Sequence, residues 1–242
     1  MPTMILKLIG KKTIYAAALF ATLFNTANAN TDLECPQYLN YTKYSEIKFK
    51  DSAICIISNN ELAKLILINN KHPESRIENS TLIEPSEVQE KTVHLEHIGD
   101  QANLYFEHSK NTYLIAIDVR NRKLLYATHT MKVPGLKEDL ADSELTLRTE
   151  NSTLNSANLK DITKDSLFNK NKLTISSETK LKITSPKAYL LDSPTAPSPT
   201  KMYLIKGDEV SATEYKDGKL KIRYTTSKGK IIEKWINISS VL

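Results

Sequence analysis

Residues Lys187–Val241, KAYLLDSPTAPSPTKMYLIKGDEVSATEYKDGKLKIRYTTSKGKIIEKWINISSV, are the most legible stretch of this chain. Turn signals punctuate it at short intervals: Ser193-Pro194, Pro197-Ser198-Pro199, Gly207-Asp208, Asp217-Gly218 and Lys228-Gly229. Between them lie short apolar or alternating runs, a spacing that predicts short β-strands rather than helices. In Lys219–Tyr224 the residues Leu220, Ile222 and Tyr224 alternate with Lys219, Lys221 and Arg223. Successive side chains of a strand point to opposite faces, so this run has one wet face and one core face. Asp217-Gly218 supplies the positive φ of a tight two-residue hairpin, and Ser227–Lys230 predicts a second hairpin.

Four pieces of this stretch resemble the bacterial SH3-like (Src-homology-3-like) domain. They are Ala188–Pro194 as a first strand, Tyr203–Val210 with its Lys-Gly-Asp-x-Val segment, the Asp217-Gly218 hairpin, and Trp235-Ile236 near the end. The resemblance covers about a quarter of the chain. The sequence departs from the pattern at Leu220, where the family often has an aromatic residue, and at Lys234, where it often has Gly. What the resemblance implies for residues 181–242 is a small SH3-like β-barrel that binds something, commonly peptide or cell-wall material; it does not imply catalysis.

The opposite end of the chain speaks to compartment. Lys7, Lys11 and Lys12 precede the apolar run Thr13–Phe24, and Ala27-Asn28-Ala29 is a small-x-small cleavage site. This is the pattern of a secretory signal peptide over residues 1–29, and it predicts a periplasmic or secreted protein. No other run approaches the ~20 apolar residues of a membrane span, so no membrane span is expected after removal of the signal. The whole chain carries 33 basic and 28 acidic residues; residues 30–242 carry 30 and 28. That near-neutral balance gives no charge argument for nucleic acid, and none is expected as a partner. Cys35 and Cys55, alone in an exported chain, are expected to form a disulfide, a closure contributing about 3 kcal/mol in the chain-entropy account.

Between these ends the fold class reads as mainly β. Residues 30–135 are expected to form an antiparallel β-rich domain. Tyr44–Lys50 and Ala53–Ile57 read as strands, whereas Glu61–Ile68 fits either a strand or a helix. Asn69–Ser80 reads as loop. Thr92–Val133 reads as a four-strand meander, Thr92–Ile98, Ala102–His108, Thr112–Val119 and Lys123–Val133, whose short turns force antiparallel neighbours. Residues 136–180 are polar and read as a connector, with a short helix expected around Ala157–Phe168. The C-terminal domain covers residues 181–242.

Chemical motifs are sparse. The chain contains no Gly-x-Ser-x-Gly, no His-Glu-x-x-His and no Gly-rich phosphate loop. His94-Leu-Glu-His97 would hold a metal on a helix. On the strand expected here His94 and His97 point to opposite faces, which defeats chelation. Glu84, Glu87 and Glu90 recur every three residues and read as a solvated helical face. No catalytic residues, metal or cofactor are therefore assigned. The candidate ligand-binding residues are Tyr189, Tyr203, Tyr215 and Trp235, since peptide-binding barrels use aromatic grooves. Tyr224 and Trp235 also suit the core of a small barrel.

The expectation is a non-enzymatic binding protein of the envelope whose partner is a protein or peptidoglycan. Two alternatives stay open: a periplasmic immunity or inhibitor protein against a wall-degrading toxin, and a cell-wall hydrolase targeted by an SH3-like domain.

Overall fold

Strand follows strand along the chain, many joined by short turns, and the computed structural model describes residues 35–69, 76–136 and 142–242. The expected signal peptide lies outside the described residues. Leu33–Leu242 form one compact unit.

A first antiparallel sheet has the order β1 (Thr42–Lys48), β2 (Ser52–Ser58), β3 (Ala63–Asn69), β4 (Ile77–Asn79). β2 is buried along its whole length. Ile54 and Ile56 enter one core while Ala53, Cys55 and Ile57 enter another on the opposite face. β3 divides in the same way, Leu65 and Leu67 to one side and Ile66 and Ile68 to the other. This resolves the ambiguity of Glu61–Ile68: a strand covered on both faces is apolar at every position and shows no period. The Cys35–Cys55 disulfide, Cα atoms 6.2 Å apart, ties the segment before β1 onto the outer face of β2. Tyr38 and Tyr41 of that segment pack against the same face. Part of the expected loop after β3 is the short strand β4; residues 70–75 lie outside the described residues.

Helix α1 (Pro85–Gln89) leads into the meander β5 (Val93–Ile98), β6 (Gln101–His108), β7 (Asn111–Asp118) and β8 (Lys123–Val133), each within one residue of its expected bounds. Two more strands, β9 (Ser143–Thr149) and β10 (Leu173–Ile175), extend the sheet to six in the order β10-β9-β8-β7-β6-β5. Its inner face places Leu104, Phe106, Ile115 and Ile117 against Ile54, Ile56, Leu65 and Leu67 of the first sheet, a two-layer sandwich core.

Residues 143–175, expected to belong to a polar connector, are packed structure. Besides β9 and β10 they form α2 (Asn151–Ser156) and α3 (Lys164–Leu167). Leu154, Leu159, Ile162 and Leu167 all enter the first core. Of the short helix expected around Ala157–Phe168, only the single turn α3 forms, and residues 157–163 are not helical. Instead, the fully buried Asn79 donates its amide to the carbonyls of Leu159 (2.9 Å) and Ile162 (2.8 Å) and accepts from the N–H groups of Thr81 and Leu82, both at 2.8 Å. A remote side chain thus satisfies backbone groups that a helix would have paired internally.

The C-terminal region is a four-stranded antiparallel sheet, β11 (Thr179–Lys182), β14 (Glu209–Lys216), β15 (Lys219–Thr225) and β16 (Ile231–Asn237) in the order β11-β14-β15-β16, with a separate ribbon of β12 (Lys187–Tyr189) and β13 (Tyr203–Ile205). Asp217 and Gly218 have φ of 53° and 80°, the turn geometry expected between β14 and β15. No sheet among the described residues closes into a barrel. The ribbon reaches β16 through one backbone bridge, Leu191 to Trp235. The core here contains Leu220, Ile222 and Ile236 together with Met131, Val133, Leu145, Leu147 and Leu173 from β8, β9 and β10. The molecule is mainly β throughout.

Candidate functional site

The four aromatic residues expected to bind ligand do not meet. Tyr215 lies on β14 and is buried in the second core. Burial pushes its hydroxyl pKa up, against a hydrogen bond from the Gly218 backbone. Trp235 lies on β16 and is also buried. Its backbone exchanges two hydrogen bonds with Leu191, of 2.8 and 3.0 Å, so β16 is held on both edges at this point.

Tyr189 and Tyr203 are different. They face each other across the ribbon in register. Ala188 and Leu204, also paired, point inward to the second core, so alternation sends Lys187, Tyr189, Tyr203 and Ile205 outward. The tyrosine rings meet edge to face, centroids 6.0 Å apart. Lys187 Nζ stands 4.9 Å from the centre of the Tyr203 ring, a cation–π distance. Tyr189 is 49% exposed, Tyr203 45% and Ile205 53%. Met202, next along the chain, is 44% exposed. The result is an aromatic and aliphatic face held by cross-strand packing and exposed to solvent.

Elsewhere the structure separates residues that the chain places together. His94 stacks on Tyr105, centroids 4.9 Å apart, and His97 meets Phe49 edge-on at 4.7 Å. The two histidines point to opposite faces of β5, as strand geometry requires. Cys35, Glu46 and Cys55 bring two sulfurs and a carboxylate within 4.8 Å. The sulfurs are bonded to each other, and a disulfide offers no thiolate to a metal. Glu46 is engaged as well, accepting from the Cys35 N–H at 3.0 Å and from Lys43 Nζ at 2.8 Å. Burial raises its pKa, but these bonds outweigh it and the net shift is downward. Fit to a metal is therefore poor at this cluster.

Two polar clusters were not foreseen. Glu87, expected on a solvated face, is 4% exposed. One carboxylate oxygen accepts the Glu84 N–H at 2.9 Å and the other takes Lys164 Nζ at 2.5 Å, with His108 Nε2 3.8 Å away. The sequence signal was present in Glu84-Pro-Ser-Glu87: an acidic third residue reaching back to the helix start, with Pro at the first helical position. The Lys164 partner, 77 residues on, had no local signal. Next to it, His129 stacks on Tyr113 at 4.3 Å and its Nε2 lies 2.9 Å from Asn111 Oδ1. Burial pushes the His129 pKa down to about 4.

The second cluster joins the N-terminal segment to the first sheet. The Tyr38 hydroxyl donates to Glu78, which also pairs with Lys64 at 3.2 Å and Arg76 at 2.7 Å. Lys64 stands over the Tyr38 and Tyr41 rings at 5.2 and 5.4 Å. Burial, then the hydrogen bond and charge of Glu78, push the Tyr38 pKa up to about 12. A shallow hollow of about 250 Å³ adjoins this cluster, lined by Cys35, Tyr38, Tyr41 and Ile57 among others. Lys64 and Arg76 both pair with Glu78, which makes the cluster a fastening for the segment. Compared with protein-family models, with curated proteins and with solved structures, the chain matches none.

Proposed function

We propose that this chain is a non-enzymatic binding protein of the bacterial envelope, periplasmic or secreted, whose C-terminal region contacts a protein or the cell wall through the Tyr189–Tyr203 face. The single observation that supports it is that face: two half-exposed tyrosines, locked together in register and flanked by exposed Met202 and Ile205. Isolated exposed apolar residues are ordinary, but a rigid aromatic pair with aliphatic neighbours is the composition of contact surfaces. The likeness of residues 181–242 to SH3-like domains and the export signal at residues 1–29 point the same way. The binding face would differ from an aromatic groove, since Tyr215 and Trp235 are withdrawn from it.

The test is retention of a protein of residues 30–242 on purified peptidoglycan and, in parallel, chemical crosslinking to envelope proteins. The unsubstituted protein is expected to be retained in one of the two assays, and Y189S/Y203S to lose retention at least tenfold while its thermal unfolding is unchanged. Retention that is indifferent to the double substitution would remove the ribbon from the contact surface.

A further inference from the structure

The ribbon carries a chemical bias that narrows its partner. Among the described residues ten large hydrophobic side chains are exposed, and four of them, Tyr189, Met202, Tyr203 and Ile205, belong to this one feature. Lys187, Lys201 and Lys206 lie on or beside it in the chain. None of the three forms an ion pair with a described residue. Of the neighbouring carboxylates, Asp192 takes Lys234 Nζ at 2.5 Å, and Asp208 accepts the Ile205 N–H of the ribbon at 2.9 Å. The bias extends beyond the patch. Residues 181–242 hold 11 basic and 6 acidic side chains, whereas residues 30–180 hold 19 and 22. The field of such a chain presents its C-terminal region to a negative surface.

We propose that the Tyr189–Tyr203 ribbon docks on an anionic phospholipid surface; this rests on the reading of that ribbon as the contact face. Tyrosine places its ring at the boundary of headgroup and acyl chain while its hydroxyl stays hydrated, and Met202 and Ile205 supply the apolar depth. Lysines 187, 201 and 206 reach headgroup phosphates, their methylene stems lying along the apolar surface. A fluid bilayer also accepts a projecting patch without a matching shape. A peptide partner would more usually require an aromatic-lined groove, whereas Tyr189 and Tyr203 stand about half exposed on the outer side of a two-stranded ribbon. The attachment is peripheral and reversible, because four apolar side chains are far fewer than a membrane span needs.

The experiment is co-sedimentation of the protein of residues 30–242 with vesicles of pure phosphatidylcholine and with vesicles containing about a third phosphatidylglycerol. This protein retains the whole compact unit Leu33–Leu242. Binding is expected only to the anionic vesicles, and it should weaken steeply with added salt. Each of Lys187→Glu, Lys201→Glu and Lys206→Glu is expected to lower it about fivefold or more. Y189S/Y203S should abolish it, while Y189F/Y203F should largely keep it, which separates loss of the apolar ring from loss of fold. Equal binding to both vesicle types, or none to either, overturns the lipid assignment. If vesicles fail but peptidoglycan or protein retention is still lost in Y189S/Y203S, the contact face stands and only its lipid partner is wrong. If vesicle binding survives Y189S/Y203S, the ribbon is not the lipid site, and retention on peptidoglycan or protein alone decides whether it is the contact face.

Discussion

The two main cores of this molecule are closed by different means. The first is a sandwich of two sheets: β2 and β3 face the inner side of β5 to β8, and α2, α3 and the turn between them close the side with Leu154, Leu159, Ile162 and Leu167. Where the backbone of that closure leaves helix, Asn79 captures its carbonyls, and where a carboxylate is buried, Lys164 meets it. The second core is smaller and takes Met131, Val133, Leu145, Leu147 and Leu173 from the six-stranded sheet to face β11, β14, β15 and β16. The six-stranded sheet therefore serves both. A short C-terminal sheet has too little inner face to bury itself, and it is completed by packing on strands that belong equally to the other layer. The difference teaches where exposed apolar surface can be kept. The first core is sealed on its open side, while the ribbon β12–β13 buries only Ala188 and Leu204 and leaves its outer row free.

This comparison breaks most readily in the cores themselves. Phe106→Ala is expected to cost about 4 kcal/mol, since Phe106 is fully buried among both sheets. Ile222→Ala in the second core should cost about 3 kcal/mol. Because the cores share a sheet, both variants should shift one cooperative transition in calorimetry. A separate early transition in Ile222→Ala would show that the C-terminal region unfolds by itself.

The seal on the first core is probed by Lys164→Ala. Removing the cation leaves the buried Glu87 carboxylate with the Glu84 N–H at 2.9 Å and His108 Nε2 at 3.8 Å. A loss of about 3 kcal/mol is expected in urea unfolding, because a buried charge deprived of its partner is costly. A loss below 1 kcal/mol would mean that water reaches Glu87 and that the seal is looser than drawn.

A smaller effect is expected from pH. His129 has its pKa held down to about 4 by burial, against an ordinary value of 6.5. The unfolded chain thus binds the proton more readily than the folded one, and stability falls as pH drops from 6.5 to 4. The loss should reach about 2 kcal/mol after allowance for screening by solvent at this half-buried ring. Unfolding of His129→Gln measured across that window should lack this part of the slope. An unchanged slope would assign the acid sensitivity to other groups.

The smallest effect on stability is expected at the ribbon. Tyr203→Ser should change the unfolding free energy by less than about 1 kcal/mol, because nearly half of the side chain is already in water. Tyr215→Ser, buried in the second core, should cost several times more. Equal effects at the two tyrosines would erase the distinction between a core aromatic and a surface one.

Much of the fold was legible in the residues. The meander Val93–Val133 was bounded to within a residue because each turn is short and punctuated by Gly99-Asp100, Ser109–Asn111 or Arg120–Arg122. The hairpin at Asp217-Gly218 followed from the need for positive φ. The packing of residues 143–175 was not legible. Their polar composition hides four buried residues, Leu154, Leu159, Ile162 and Leu167, whose partners lie far away in the chain. In the candidate site the residue types were legible but their placement was not: of the four aromatic residues singled out, Tyr189 and Tyr203 are exposed side by side, whereas Tyr215 and Trp235 are buried.

Local pattern by itself determined that this chain is built of short antiparallel strands, where most of them turn, and that Cys35 and Cys55 are paired. These depend on backbone sterics, side-chain alternation and the count of partners, all readable within a few residues or from composition. Only the tertiary structure decided which tyrosines are core and which are exposed, that Glu87 is buried against Lys164, and that Asn79 holds open the turn between α2 and α3. Burial and pairing are set by neighbours distant in sequence, so a residue such as Tyr203 or Tyr215, each on a strand, acquires its role only when the other layers arrive.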